Sequence, residues 1–380
     1  MTDIPFWLEI DHAAIRHNLH FFRSLIPQQT RLFSVIKSNA YGHGLLAVAK
    51  TIDQHPNTAG AIVNSIDEGI LLRTNHFQKR IIVAGAYRNK SLLQAAQENN
   101  LELEIVNEQN IQELEWLSAD LPPLKIFIKV NTGLNRLGFS KKHFVDAFNK
   151  IQHWKSIKML GFFSHFANSE DPQSLQTLQQ IATFKELANN FPNYEKHIAA
   201  SAGTVLIPEA HFDLVRIGIG TYGLWPAEEV AILWRQSHSK TISDPLQPAL
   251  SFRTRIVHIN SVGAGELVGY GGTYMTTRDS RLAVLPCGYY EGLPRSLSNK
   301  ANVLVCGKKA PIVGRIAMNM TIIDITDIPE ANQESIVTII GSDGDQYISA
   351  AEQALHADTI DYELLTRLPE FIHREHLNTT

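Results

Sequence analysis

The segment Ser34–Gly44, SVIKSNAYGHG, places a lysine, Lys37, at the end of an apolar run. An ammonium is costly to bury there. A lysine kept in such a place loses proton affinity and becomes a nucleophilic amine, suited to forming an imine with a carbonyl compound. From position alone, the plainer reading is a flexible stem that carries the charge back to water. Five more polar groups end or follow apolar runs: Lys129, Arg136 in the loop beyond it, His165, Ser201 and Arg216. The stretches His197–Thr204 (HIAASAGT) and Arg216–Gly223 (RIGIGTYG) are rich in small residues. Their glycines let backbone N–H groups approach an anion, and the Ser201 hydroxyl adds a donor. Taken alone, each reads more readily as a tight turn. Together with Lys37 they suit a cofactor that carries both a carbonyl and a phosphate.

Six such groups need a scaffold that gathers strand ends. The apolar runs Arg31–Ile36, Ala59–Val63, Arg80–Val83, Glu102–Val106, Lys125–Val130, Ile157–Phe163, Lys196–Ala199 and Asp213–Ile217 read as strands. They are nearly continuous in apolar character, as a parallel sheet buried on both faces requires. Helical patterns alternate with them, at Gly44–Ile52, Ile66–Arg73, Glu108–Leu117, Lys141–Ile151 and Leu175–Ala188. Asp11 is placed to cap a further helix on which Ile15, Leu19, Phe22 and Ile26 recur at helical spacing. Eight strand–helix units predict a TIM-like α/β barrel, whose active site lies at the C-terminal ends of the strands. A doubly wound open sheet is the alternative; the first units lack a Gly-rich dinucleotide fingerprint.

The texture changes at Gln236–Pro248, a polar, proline-containing stretch. Beyond it the runs Leu250–Ile259, Arg281–Pro286, Asn302–Cys306, Pro311–Ile316, Thr321–Ile325 and Ser335–Ile340 predict a mostly β domain. A helix at Ser349–His356, a second near Ile360 and a frayed charged tail complete the expectation. The expected domains are residues 1–240, a barrel that binds the cofactor, and 241–380.

Composition narrows the function classes. The chain has 380 residues, a formal net charge of -4 and two cysteines. That charge supplies no general electrostatic reason to bind nucleic acid. No apolar stretch is long enough to span a bilayer, and the N-terminus has no signal-peptide pattern. Two cysteines make a disulfide framework unexpected and favour a reducing compartment, hence a cytoplasmic location. Cys287 and Cys306 are expected to be unpaired small hydrophobes. No metal site is expected.

The ordered motifs SVIKSNAYGHG, KVNTGLNRLGF (Lys129–Phe139), RIGIG, VGYGGTY (Val268–Tyr274), CGYYEGLPR (Cys287–Arg295), VGRIAMNM (Val313–Met320) and TIDYELLTRL (Thr359–Leu368) closely resemble those of alanine racemases. The resemblance covers nearly the whole chain. It implies a barrel followed by a β domain, a homodimer with shared active sites, and pyridoxal 5'-phosphate as cofactor. It implies that Lys37 holds the cofactor and that Tyr41, Ser201, Gly218, Ile219 and Tyr362 bind its phosphate. Arg216 is expected to face the pyridine nitrogen, with His165 beside the ring. Arg136 is expected at the phenolic oxygen, where it helps to orient Tyr270. Met318 is expected to offer its backbone N–H to the substrate carboxylate, and Tyr289 and Tyr362 to narrow the entrance. Lys129 resembles a position that carries a carbamate. Two bases, Lys37 for the D-isomer and Tyr270 of the partner for the L-isomer, would interconvert the alanine enantiomers and supply D-alanine for peptidoglycan. The chain departs from the family at Ser38, at Glu291 (aspartate is common) and at Asn319 (aspartate is usual). Rival readings are a racemase of serine or broader range, a decarboxylase of the same fold, and a cofactor carrier without catalysis.

Overall fold

A computed structural model describes residues 5–85, 87, 89–117, 120–238 and 244–379. The chain forms two compact units. One comprises Ala14–Ala40 and Leu45–Gln247; the other comprises the chain through Ala13, Tyr41–Gly44 and the chain from Pro248 onward. The expected boundary at 240/241 falls outside the described residues.

The first strand, β1 (Phe6–Asp11), belongs to the second unit. The first unit is an eight-stranded parallel barrel. Its strands are β2 (Arg31–Val35), β3 (Thr58–Val63), β4 (Arg80–Val83), β5 (Glu102–Ile105), β6 (Leu124–Lys129), β7 (Ile157–Phe163), β8 (Glu195–His197) and β9 (Leu214–Ile217). Their order is β8-β7-β6-β5-β4-β3-β2-β9. The seam between β8 and β9 is closed by bonds from Asp213 N–H to Lys196 O (3.1 Å) and from Arg216 N–H to Ala199 O (3.1 Å). This excludes the open-sheet alternative. Helices Leu45–Gln54, Ile66–Thr74, Glu108–Leu114, Lys141–Ile151 and Leu175–Asn190 lie within about two residues of the expected spans, apart from an earlier end for the third. Lys90–Glu98, Ser201–Leu206 and Glu228–Ser237 are additional helices. Asp11 Oδ1 accepts the Ala13 N–H at 2.8 Å, so it caps His12–Ser24 as its position suggests.

The interior of the barrel is layered, because alternate residues of each strand point inward. Phe33, Ile62, Ile82, Phe127, Phe163 and Leu214 form its apolar centre. Below it lie the first residues of four strands, Arg31, Arg80, Glu102 and Glu195. Arg80 grips Glu102 with both forks (2.7 and 2.8 Å) and reaches Glu195, which also bonds Arg31 at 3.0 Å. The expectation of nearly uniform apolar strands is corrected here: β5, ELEI, is buried throughout yet contributes two carboxylates. Opposite charges from neighbouring strands make that burial tolerable.

In the second unit, β10 (Leu250–Arg255), β11 (His258–Val262), β12 (Leu267–Val268), β13 (Tyr274–Met275), β14 (Ser280–Leu285), β15 (Asn302–Val305), β16 (Lys308–Pro311), β17 (Thr321–Asp324), β18 (Ile336–Asp343), β19 (Gln346–Ile348) and β20 (Arg374–Leu377) form three sheets. The largest runs β16-β15-β18-β10-β1-β20, with β19 on β18. Three expectations are corrected. Leu250–Ile259 is two strands in different sheets. Only Pro311 of the run Pro311–Ile316 lies in a strand, β16. The charged tail is not frayed: Arg374–Leu377 pairs in parallel with Leu8–Asp11 of β1. As an edge strand it can keep charged side chains in water. Helices Ala350–His356, capped by Ser349, and Asp361–Thr366 follow expectation. Cys287 is buried and Cys306 is exposed on a turn with φ 51°, so only the first behaves as a core residue.

Candidate active site

The C-terminal rim of the barrel is built from β-strand ends whose next residues cannot continue the strand. After β2 and Ile36 the chain turns at Lys37 into a left-handed conformation: Ser38, Asn39, Ala40 and Tyr41 have φ between 52° and 56°. Each such non-glycine residue costs about 1–2 kcal/mol, so the turn must be held from outside. Glu68 holds part of it. One oxygen accepts the Ser38 N–H at 3.0 Å and the other accepts the Asn64 N–H at 2.6 Å, while Glu68 also completes a capping box with Ser65. Asn39 Oδ1 accepts the Leu45 N–H at 2.8 Å. Lys37, half-buried, is thereby fixed where the strand stops. Sequence reasoning missed Glu68; the Ser65-x-x-Glu68 spacing was the available signal.

Arg216 is the most constrained cation of the rim. Its Nη2 donates to Ser164 O (2.9 Å), Ile198 O (2.7 Å) and His165 Nδ1 (3.1 Å), and its Nη1 donates to His197 Nδ1. Both imidazoles accept at Nδ1. Burial, then the Arg216 charge, holds both well below the usual histidine range, so both are neutral. Burial lowers Arg216 itself to about 10, which leaves it protonated at neutral pH. Its Nε makes no hydrogen bond to a described residue. His197 stacks on Phe163 at 4.9 Å, and Lys129 Nζ lies 5.1 Å from the centre of the same ring.

Lys129 is buried, and burial lowers it to about 8 against the opposing pull of Glu104. Glu104, also buried, is raised to about 7 by burial; Lys129, Arg216, Lys37 and Arg136 pull it the other way. The same four cations depress His165, so one carboxylate and one imidazole register the gathering of Lys37, Lys129, Arg136 and Arg216. Arg136 is exposed on the loop that returns to Lys129, where Phe139 N–H bonds Lys129 O at 2.9 Å. Sequence reasoning missed Glu104, because a single glutamate in an apolar strand carries no motif.

A carboxyl raised from 4.5 to about 7 in the folded state binds a proton there that the unfolded chain has released. Its contribution to stability therefore falls as pH rises from about 4.5 to 7. Glu104→Gln should remove that slope, so that the loss of unfolding free energy between pH 5 and pH 8 is smaller in the variant than in the unaltered protein. Urea unfolding of both proteins at pH 5 and pH 8 measures it; parallel pH dependences would refute the assignment.

Ser201 opens the helix Ser201–Leu206, and its Oγ accepts the Gly218 N–H at 3.0 Å. Gly218 precedes the short helical turn Ile219–Tyr222. Gly220 must be glycine, since a Cβ there would lie 2.3 Å from the Phe22 ring. These contacts bring Ser201, Gly218 and Ile219 to one corner of the rim.

The second unit carries the remaining expected residues. Tyr41 is buried, which raises its phenol to about 12, and its ring centre lies 6.1 Å from that of Tyr362. Tyr270 is 72% exposed on a turn between Gly269 and Gly271, both at positive φ. Tyr289 and Met318 are exposed; Tyr289 N–H bonds Ala317 O at 3.1 Å, which places the two side by side. Among the described residues no cluster of three or more His, Cys, Asp or Glu side chains could hold a metal ion, and no helix is long and apolar enough to cross a membrane.

The profile of the alanine racemase N-terminal domain matches residues 10–226, and that of the C-terminal domain matches residues 249–376. The chain belongs to the alanine racemase family. An alanine racemase from Leptospira interrogans is 38% identical over 97% of this chain and 95% of its own length. One from Listeria monocytogenes is 36% identical over 98% of both. The crystal structure of alanine racemase from Bacillus anthracis, with bound L-Ala-P, superimposes with a TM-score of 0.89 at 30% identity, covering 100% of this chain and 97% of the other. The biosynthetic alanine racemase of Pseudomonas aeruginosa gives a TM-score of 0.87 at 30% identity, covering 98% and 99%. Interconversion of L- and D-alanine is the activity of the family, and barrel plus β unit is its fold.

Proposed function

We propose that this chain interconverts L- and D-alanine with pyridoxal 5'-phosphate, by proton transfers from two bases. The observation that carries the reading is Arg216: a buried, protonated guanidinium between two neutral histidines, with Nε left over. That donor suits an unprotonated pyridine nitrogen. When bound, the cofactor supplies an electron sink for the α-carbon. Lys37 holds it through its amine and then moves a proton on one face. Ser201, Gly218 and Ile219 hold its phosphate, with Tyr41 and Tyr362. His165 packs at the ring, and Arg136 bonds the phenolic oxygen. Tyr270 of a second copy serves the opposite face, Met318 N–H binds the substrate carboxylate, and Tyr289 and Tyr362 limit the entrance. Lys129, lowered to about 8, has the unprotonated fraction that carbamate formation needs. Glu104, held near neutrality, can take up a proton when that negative charge arrives. D-alanine made this way in the cytoplasm would be a building block for cell-wall peptidoglycan, and the bacterial origin of the relatives supports that use.

The test is incubation of the cofactor-loaded protein with L-alanine and chiral analysis of the product, followed by borohydride reduction and peptide mapping. A racemic mixture and a label on Lys37 are expected. A label elsewhere, or unchanged L-alanine, overturns the proposal. Serine in the same assay settles specificity, because a pocket for a methyl group rejects a hydroxymethyl group only modestly.

A further inference from the structure

Glu291 and Asn319, far apart in the chain, meet in the second unit. Asn319 Nδ2 donates to Glu291 Oε1 at 2.7 Å, and the other oxygen of Glu291 accepts the Gly288 N–H at 2.8 Å. Glu291 is 3% exposed, whereas its neighbours Tyr289, Tyr290, Met318 and Met320 are all exposed. The segments 287–293 and 316–321 are zipped on either side of this bridge. Tyr289 N–H bonds Ala317 O, Tyr290 N–H bonds Met318 O at 2.9 Å, and Thr321 Oγ1 donates to Cys287 O at 2.8 Å. The approach is so close that a Cβ on Gly288 would lie 2.1 Å from Ala317 O. A buried carboxylate with two donors is satisfied; without them it is an expensive orphan.

We infer that the Glu291–Asn319 bridge is a positioning device that locks the Met318 peptide against the Tyr289 turn, and so sets how tightly the substrate carboxylate is held. The last clause rests on the proposed role of Met318. Met318 and Asn319 share a peptide linkage, so tension on the Asn319 side chain is transmitted to the Met318 backbone. The amide also matters chemically. An aspartate at 319 would set two carboxylates at hydrogen-bond distance, and such a pair can stay together only by sharing a proton. Asparagine, a permanent donor, needs no shared proton to close the bridge.

The experiment compares the full-length protein with Asn319→Asp and with the exchanged pair Glu291→Gln/Asn319→Asp, loaded with cofactor. Two readouts are taken at pH 6 and pH 8.5: KM and kcat for alanine, and backbone amide hydrogen exchange of peptides covering 287–293 and 316–321. In Asn319→Asp a shared proton keeps the bridge at the lower pH and its loss opens it at the higher. The KM should therefore rise about tenfold at pH 8.5 with little change at pH 6, kcat should stay within about twofold, and exchange in both peptides should quicken at pH 8.5 only. The exchanged pair restores one donor facing one acceptor, so both readouts should return toward the starting protein. Unchanged exchange in Asn319→Asp at both pH values overturns the bridge as a lock. Faster exchange with an unmoved KM overturns its link to the substrate while leaving racemisation by the unaltered protein untouched. Failure of the unaltered protein to racemise alanine would instead remove the proposed function, and the exchange measurement would still decide the bridge.

Discussion

Replacing Lys37 by alanine should cut racemisation in both directions by about 10³-fold or more and abolish the visible absorbance of the bound cofactor. Lys37 is assigned two tasks at once, holding the cofactor and moving a proton, and alanine can do neither. The fold should survive. The Lys37 side chain makes no hydrogen bond to a described residue, and the left-handed turn behind it is held through the Ser38 and Asn39 contacts to Glu68 and Leu45. Circular dichroism and the urea midpoint should therefore match the unaltered protein within about 0.5 kcal/mol. A small amine added to the assay should recover part of the rate, because a free base can enter the space that the lysine leaves. A variant that keeps a tenth of the activity would show that the base lies elsewhere.

The second large effect is expected at Arg216. Arg216→Glu should lower the racemisation rate by about 10²–10³-fold and bring up a new visible absorbance band on addition of alanine. If residue 216 faces the pyridine nitrogen as proposed, a carboxylic acid there would be able to protonate that nitrogen and so strengthen the electron sink that the cofactor would supply. Arg216 gives up its proton far less readily, being only lowered to about 10. The surroundings add a structural cost. Ser164 O and Ile198 O each accept a hydrogen bond from Nη2, and a glutamate would turn acceptor oxygens toward both. The variant should thus be less stable by about 2–4 kcal/mol as well as slower. Arg216→Lys separates the two effects: it keeps a cation but cannot serve both carbonyls and both histidines, so it should lose stability without gaining the band. Appearance of the band in both variants, or in neither, would remove this account of Arg216.

Much of the rim is legible in the amino-acid order alone. Lys37, His165, Ser201 and Arg216 each follow or end a run whose apolar character marks a buried parallel strand, and strand ends of one barrel must converge. The capping box at Ser65 and Glu68 is legible in the same way, since it depends on residues three apart. The charged layers inside the barrel are not. Glu102 and Glu104 are tolerable only because Arg80 and Lys129 arrive from other strands, and a window of ten residues contains no trace of those partners.

By itself the sequence determined the α/β alternation of the first two thirds and the identity of the rim cations, because these follow from local periodicity and from the chemistry of single side chains; closure of the sheet into a barrel came only with the bonds from Asp213 and Arg216 to Lys196 and Ala199. Tertiary structure alone decided that Phe6–Asp11 and Arg374–Leu377 become neighbouring strands, that Leu250–Ile259 breaks between two sheets, and that Glu291 meets Asn319. Each of those outcomes depends on hydrogen bonds between residues tens to hundreds of positions apart. Their free energy exists only once the intervening chain has folded, so no local pattern can carry it.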